Sequence, residues 1–565
     1  MLALKQIILP SFLFAFLFCR TFIGQENVVV VVNSNSIESM TLANKFIELR
    51  NIPPNNVIYL NKITWMKPPE IPGTIYSQNL KNEILRPIFR TMQERRIDKQ
   101  IDCIAYSCEI PYRVDLRPEM KKNLKSRGRD YEPQKHAVWG SLTGATYLHQ
   151  RLSSSPPDVF SSRTNSYAHN TFNSPSRSFS SQSSWASSGG ITENKSDGER
   201  YILSTMLAYT GPGGSTIEQA VDQLERSASS DFSKPDGTFY FAKHKDIRSK
   251  IRHSQIDSAK KQLQQLGYKV IVDDSKWPTN LSPVAGATLG SPVVKWADSK
   301  SQFAPGAICD NLTSYGAMWN KKNQTQLTDY LNQGAAGASG TVYEPYALTW
   351  KFPSALTQVH YARGCNLAEA FYQTVANPFQ LLIVGDPVCQ PFADKIQFEL
   401  KNLIPYSRYS KDFNVELAAQ TDDENWRFEI YLDGLFWSAI PQNRKIKIPV
   451  KDLRRGFHEI RVVSKKAGLV EHRRSKAYPF YTGEQKDQIM LESAESSFNL
   501  SKKVNLKVDT NGQAFKIRHN FRDIPYSNHP TKSGFIQIAP KQFGLGTCHL
   551  KAHTAKSSSA PVKIR

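Results

Sequence analysis

Two periodicities divide the chain. Up to about residue 393, short apolar runs alternate with segments whose apolar positions recur every three or four residues; beyond about 395, apolar and polar positions alternate singly. Residues 28–32 are five consecutive valines, the pattern of a strand covered on both faces. Asn33, Ser34, Asn35 and Ser36 supply turn and cap chemistry. The next segment, 37–50, sets Met40, Ala43, Phe46 and Ile47 on one helical face before Ile52, Pro53 and Pro54 end it. Strands are expected at 57–60 and 101–106, helices at 80–93 and 216–229. Further strands at 269–272, 307–309 and 338–342, with helices at 257–266 and 366–375, predict a mainly parallel, three-layer α/β domain over 27–393. The apolar run 381–384 stops at Gly385, Asp386 and Pro387, which sets Asp386 at a strand's carboxyl end, where open α/β sheets place their ligands.

The second pattern has period two. Phe428, Ile430 and Leu432 alternate ahead of an Asp433-Gly434 turn, and His458, Ile460 and Val462 follow Gly456. This predicts an Ig-like β-sandwich over 395–484. Val504, Leu506 and Val508, with closing strands at 547–553 and 561–564, predict a second, Ig-like or fibronectin III-like, over 485–565. Between 153 and 197 the chain is rich in Ser, Asn, Pro and Arg. That composition has little to bury and is expected to form a mobile insertion.

The N-terminus carries one charge, Lys5, before an apolar stretch at 7–18, which fits a secretory signal over 1–24. No later segment is long and apolar enough to span a bilayer, so the mature chain is expected to be exported to the periplasm, the cell surface or the medium. Of seven cysteines, six follow the signal: Cys103, Cys108, Cys309, Cys365, Cys389 and Cys548. An oxidising compartment permits disulfides, and buried free thiols are the equal alternative. No CxxC pair or Cys/His cluster has zinc spacing, so no metal is expected. Gly211, Gly213 and Gly214 lack the Lys-Ser/Thr of a phosphate loop, and no cofactor is expected.

The net charge is +22. Residues 441–476 hold 12 basic and three acidic residues. Such a field could grip an acidic envelope or extracellular polymer, although a solvated basic face is the commoner outcome. No nucleic-acid-binding motif accompanies it.

Candidate chemistry gathers at the expected strand ends. Asp310, Glu344 and Asp386 could act as acids or bases, against capping and ion-pairing roles. Ser314 could bind a ligand or cap a helix. His360 lies close to Cys365 in sequence, a weak nucleophile–base spacing. Arg363 could clamp an anion or pair with Glu344. Asn33, Ser34 and Asn35 end the first strand over a helix N-terminus and could equally be ordinary caps.

Several longer motifs carry a resemblance: VVVVVNS at 28–34, RNIPP at 50–54, GTFYFAK at 237–243 and PGAICDNLTS at 305–314. They continue as GAAGASGTVYEPY at 334–346, HYARGCNLAEAFY at 360–372 and Gly385-Asp386-Pro387. Over 27–393 the chain resembles an uncharacterised, planctomycete-type family of exported bacterial proteins. More distantly, the order of these segments is similar to the caspase-like catalytic domain of gingipain-type cysteine peptidases. That likeness implies a caspase-like or Rossmann-like fold and puts Cys309 near the nucleophile position. Its chemistry needs a His just upstream, and no histidine occurs between 254 and 359. The segment that matches, 287–292, reads ATLGSP. The resemblance therefore implies a binding or surface-associated protein without the peptidase dyad, with a hydrolase or a structural envelope component as alternatives.

Overall fold

The computed structural model describes residues 23–66, 72–120, 137–168, 175–193, 197–441, 444–466, 468, 470, 472–484, 489–493, 495–528 and 533–565. The expected signal segment lies outside the described residues except for Ile23 and Gly24. Ten strands form the main sheet. In chain order they are β1 (Val28–Asn33), β2 (Val57–Leu60), β3 (Cys103–Tyr106), β4 (Leu203–Met206) and β5 (Thr238–Ala242). β6 (Lys269–Asp273), β7 (Val284–Leu289), β8 (Phe303–Asn311), β9 (Gly337–Thr341) and β10 (Leu381–Gly385) complete it. Their spatial order is β6-β5-β7-β8-β9-β10-β4-β3-β1-β2. The valines of β1 are wholly buried, as a strand roofed on both faces requires.

Helices α1 (Ile37–Arg50), α2 (Ile217–Ser230), α3 (His253–Gln265), α4 (Thr357–Ala362) and α5 (Leu367–Tyr372) cover the sheet. Ser36 caps α1 by accepting from the Ser39 N–H, and Asn51 ends it in the left-handed region, donating to Glu48 and Ile47 carbonyls. The expected mainly parallel α/β architecture is present. Its strands fall into two parallel sets that run in opposite directions: β10, β4, β3, β1 and β2 are parallel to one another, as are β6, β5, β7, β8 and β9. β10 pairs with β9 antiparallel, Gly385 facing Gly337 and Leu381 facing Thr341. An apolar run buried on both faces reads the same in either direction, so its pattern could not reveal this. Gly385 takes φ +148°, and a Cβ there would lie 2.7 Å from the Ala336 carbonyl oxygen.

The all-β part begins past residue 395 as expected. Its main strands are β11 (Trp426–Leu432), β12 (Arg455–Lys466), β13 (Arg473–Thr482), β14 (Phe515–His519), β15 (Cys548–Thr554), β16 (Ser557–Ser558) and β17 (Val562–Ile564). Buried apolar side chains form one cluster in the α/β part and two more, around Phe428, Ile460 and Phe480 and around Leu506, Ile536 and Leu550. β12 pairs with β16 at Arg455–Ser557 and Gly456–Ser558, which joins the two β regions through one continuous sheet.

Among the described residues, the part of the Ser-rich insertion from 175 to 185 is packed, contrary to expectation. Phe179 and Trp185 are buried and stack with interplanar angle 13°, and Tyr167 packs edge-on against Phe179. Ser176, Ser178, Ser180, Ser181, Ser183 and Ser184 are buried; the Ser181 N–H donates to Asp102 Oδ1 at 2.8 Å and its hydroxyl to the Ile101 carbonyl at 2.7 Å. Hydropathy counts such serines as solvent-seeking, and their local pairing satisfies them inside.

Candidate functional site

The carboxyl ends of β7 and β8 are the natural place to look for chemistry. Adjacent residues of a strand face opposite sides, so Cys309 and Asp310 of β8 cannot share a site. Cys309 is fully buried, and burial pushes its thiol well above the ordinary range, away from the thiolate a nucleophile needs. Asp310 forms a buried ion pair with Arg252, at the head of α3. Arg252 also donates to the Pro353 carbonyl at 3.2 Å and to the Leu289 carbonyl, which ends β7. Ser339 of β9 donates to the other oxygen of Asp310. Beside it, a Cβ on Gly290 would lie 2.5 Å from the Ser249 backbone nitrogen. Arg252, Asp310 and this close backbone fill the rim between the two strands.

Glu344 follows β9 and is half-buried. Its Oε1 accepts from the Ser314 hydroxyl at 3.2 Å and from the Tyr346 N–H at 2.9 Å. The expected Glu344–Arg363 pair is not formed: Arg363 donates to Gln262 Oε1 at 2.8 Å, in the α3 layer. Lys351, which sequence reading passed over, is buried near Glu344 and donates to Gln380 at 2.7 Å; burial pulls its ammonium down to about 8. Asn33, Ser34 and Asn35 serve the backbone, bonding to the carbonyls of Glu109, Leu60 and Asn61.

Asp386 sits elsewhere. Because β10 is antiparallel, its carboxyl end lies at the amino end of β9, across the sheet from Glu344. There Asp386 is wholly buried. It accepts from the Val388 N–H at 3.1 Å and is paired with Arg50, whose guanidinium also binds Asp231. His360 is buried in α4 with Nδ1 2.7 Å from the Ser176 hydroxyl of the insertion. The arrangement in which Asp310, Glu344, His360 and Asp386 surround one substrate is therefore not formed. The physical reason is the antiparallel junction of β9 and β10, where two parallel halves of the sheet meet running in opposite directions.

Two buried carboxyls escaped sequence reading. Burial pushes Asp102 up to about 7 and Glu369 up to about 8. Both lie under the packed insertion, Glu369 accepting from the Phe179 N–H at 3.1 Å. Their signal is tertiary, and no local motif announces it.

No protein-family model matches the chain, and no curated protein matches it. Among solved structures, it is similar to the Arg-specific cysteine proteinase gingipain R, at TM-score 0.42 and 9% identity, over 82% of this chain and 100% of that one. A complex of Porphyromonas gingivalis RgpB pro- and mature domains scores 0.41 at 8% identity, over 81% and 100%. Bacteroides ovatus SGBP-B, in complex with a mixed-linkage heptasaccharide, scores 0.21 at 10% identity, over 30% and 48%. Scores this low assign neither family nor activity.

The six cysteines among the described residues are free and buried. Among the described residues no three His, Cys, Asp or Glu side chains converge to hold a metal, and no helix is long and apolar enough to cross a membrane. The basic segment 441–476 is divided. Arg461 and Arg473 are buried in ion pairs with Glu26 and Glu429, whereas Arg444, Lys445, Lys451, Arg454 and Arg455 are exposed. Arg454 borders a cavity of about 500 Å³ between α1 and the β regions. The alternation of Cys548, His549, Leu550, Lys551, Ala552 and His553 was its one sequence signal, a polar face of bases on a strand otherwise read only as a closing one.

Proposed function

We propose that this is an exported, surface-associated protein that acts by binding, a non-peptidase relative of gingipain-like caspase-fold proteins and of the planctomycete-type exported family. Its α/β domain, over 27–393, serves as scaffold, and sandwiches over 395–484 and 485–565 carry the contact with an acidic polymer. The observation that carries this reading is the Arg252–Asp310 pair, which occupies the rim where a nucleophile and base would meet. Cys309 behind it is fully buried, and burial disfavours the thiolate that nucleophilic attack needs. The exposed cations at 444–455 support the polymer contact, since charges held in water attract a polyanion at long range.

A thiol-reactive electrophile tests the peptidase half. Cys309 should stay unlabelled in the native protein and react fully once urea unfolds it. Labelling of native Cys309 that a peptide substrate suppresses would refute the reading.

A further inference from the structure

Residues 501–565 hold 12 Lys and Arg against two Asp. The sheet concentrates several of these bases on one face. β14 and β15 are antiparallel, with Lys516 opposite His553 and Arg518 opposite Lys551; β15 and β17 set His549 opposite Lys563. Directly opposed side chains stand about 4.5–5.5 Å apart at Cβ, and like charges there repel. Leu550 and Ala552 between them point into the core, so the bases share the other face. That face walls the cavity of about 500 Å³, roofed by the carboxyl end of α1 and by β12. This volume falls within the roughly 300–1,000 Å³ of small-molecule sites.

Most of the nearby carboxylates are already taken. Asp523 receives Lys516 and Arg518, and Glu48 receives Lys563. Asp433 lies 2.7 Å from His458 Nδ1, and His458 Nε2 lies 2.7 Å from the Arg454 carbonyl. Both partners of that ring are acceptors; burial opposes the charged ring, but Asp433 and the Arg454 carbonyl outweigh it and raise the imidazole's hold on its proton, so Asp433 is engaged by His458. Glu459 is bound to Arg461. Among the described residues no acceptor meets the Lys551 ammonium, which instead stands 4.5 Å over the Phe457 ring. Asp433 and Glu459, both already paired, act on it only through space, and burial still pulls its ammonium down; a half-enclosed cation in contact with no carboxylate, opposite an arginine, costs stability unless something neutralises it.

We propose that this cavity binds an oxyanion, a carboxylate, sulfate or phosphate carried on a hydroxylated molecule, with its acid group between Lys551 and Arg518. The proposal rests on the reading that the chain acts by binding, and it names the site. Arg518 offers planar paired donors and Lys551 a point charge, the two modes of oxyanion recognition. The Phe457 ring beside them would pack against the ligand's carbon frame.

Calorimetric titration of the full chain with inorganic phosphate, galacturonic acid and oligogalacturonate, at two salt concentrations, tests it. At least one probe should bind, more weakly at high salt. Lys551→Met should weaken that binding tenfold or more while leaving the thermal midpoint unchanged or raised, because an unneutralised cation is removed. Phosphate alone binding points to a free anion as the source, and the uronates alone binding points to an acidic sugar; both support the site. Lys445→Glu with Lys451→Glu, on the exposed face, should weaken the oligomer only. Unchanged affinity in Lys551→Met overturns the site. If the oligomer then depends only on Lys445 and Lys451, polymer binding stands without the cavity. If no probe binds the native chain, both readings fall.

Discussion

Glu369 shows how a single side chain reports on its surroundings. It is the third residue of α5, in a capping box with Asn366, a position where a carboxylate is ordinarily welcome. Two backbone N–H groups favour its charge, yet burial outweighs them and holds the group protonated up to about 8. A carboxyl raised in the folded state binds its proton there after the unfolded chain has released it. Stability from this group is therefore greatest at acid pH, declines as pH rises from the ordinary Glu range, and levels off above about 8. Asp102, at about 7, has the same sign. Buried His519 and half-buried His553, pulled down to about 3 and 4, have the opposite sign, but their effect is mostly spent by pH 7, since the unfolded imidazole titrates near about 6.5. Between pH 7 and 8, Glu369→Gln should remove about 1 kcal/mol of the wild-type decline, at about 1.4 kcal/mol per proton and pH unit. Urea midpoints at pH 7, 7.5 and 8 measure it. A wild-type decline that the variant reproduces in full would place the proton elsewhere.

At the scale of elements, the packed insertion is the test. Phe179 and Trp185 are buried to within a few per cent, so Trp185→Ala should cost about 3–5 kcal/mol. Limited proteolysis should then cut within 175–193, where the wild type resists; equal resistance would mean that the insertion is dispensable to the core. This element marks the boundary of what the sequence makes legible. The strand 28–32 and helix 37–50 could be read because their determinants are local: an apolar run, a Ser36 cap and a proline stop. Asp310 and Glu344 were placed near strand ends for the same reason. The direction of β10 was not legible, because burial pattern carries no polarity. The insertion was not legible either, because Ser181 is buried by its bonds to Ile101 and Asp102, which are distant in sequence. The ion pair that closes the rim joins Arg252 to a residue 58 positions away.

At the scale of the whole molecule, α1 is one of the elements on which the α/β domain and the last β region meet, beside Tyr59 of β2, whose hydroxyl lies 3.3 Å from His519 Nδ1. Asn44 donates to the Phe543 and Leu545 carbonyls at 2.7 and 2.9 Å, and its amide lies 3.3 Å from the Cys548 sulfur. Gly544 takes φ +75°, and a Cβ there would lie 2.7 Å from the Met40 Cβ, so the loop seats directly on the helix. Asn44→Ala leaves the buried Phe543 carbonyl and the part-buried Leu545 carbonyl without their donor, at about 1–3 kcal/mol for the buried group. The expected result is local undocking with the α/β core intact. Amides at 540–554 should exchange faster, and Cys548, buried in the wild type, should become reactive to thiol reagents while Cys309 remains protected. Cys548 and Cys309 becoming reactive together would instead mean that the chain unfolds as one unit. The same interface roofs the cationic cavity, so undocking should also weaken oxyanion binding without altering a single base that holds the ligand. Loss of docking with undiminished affinity would show that the strands β14, β15 and β17 suffice alone.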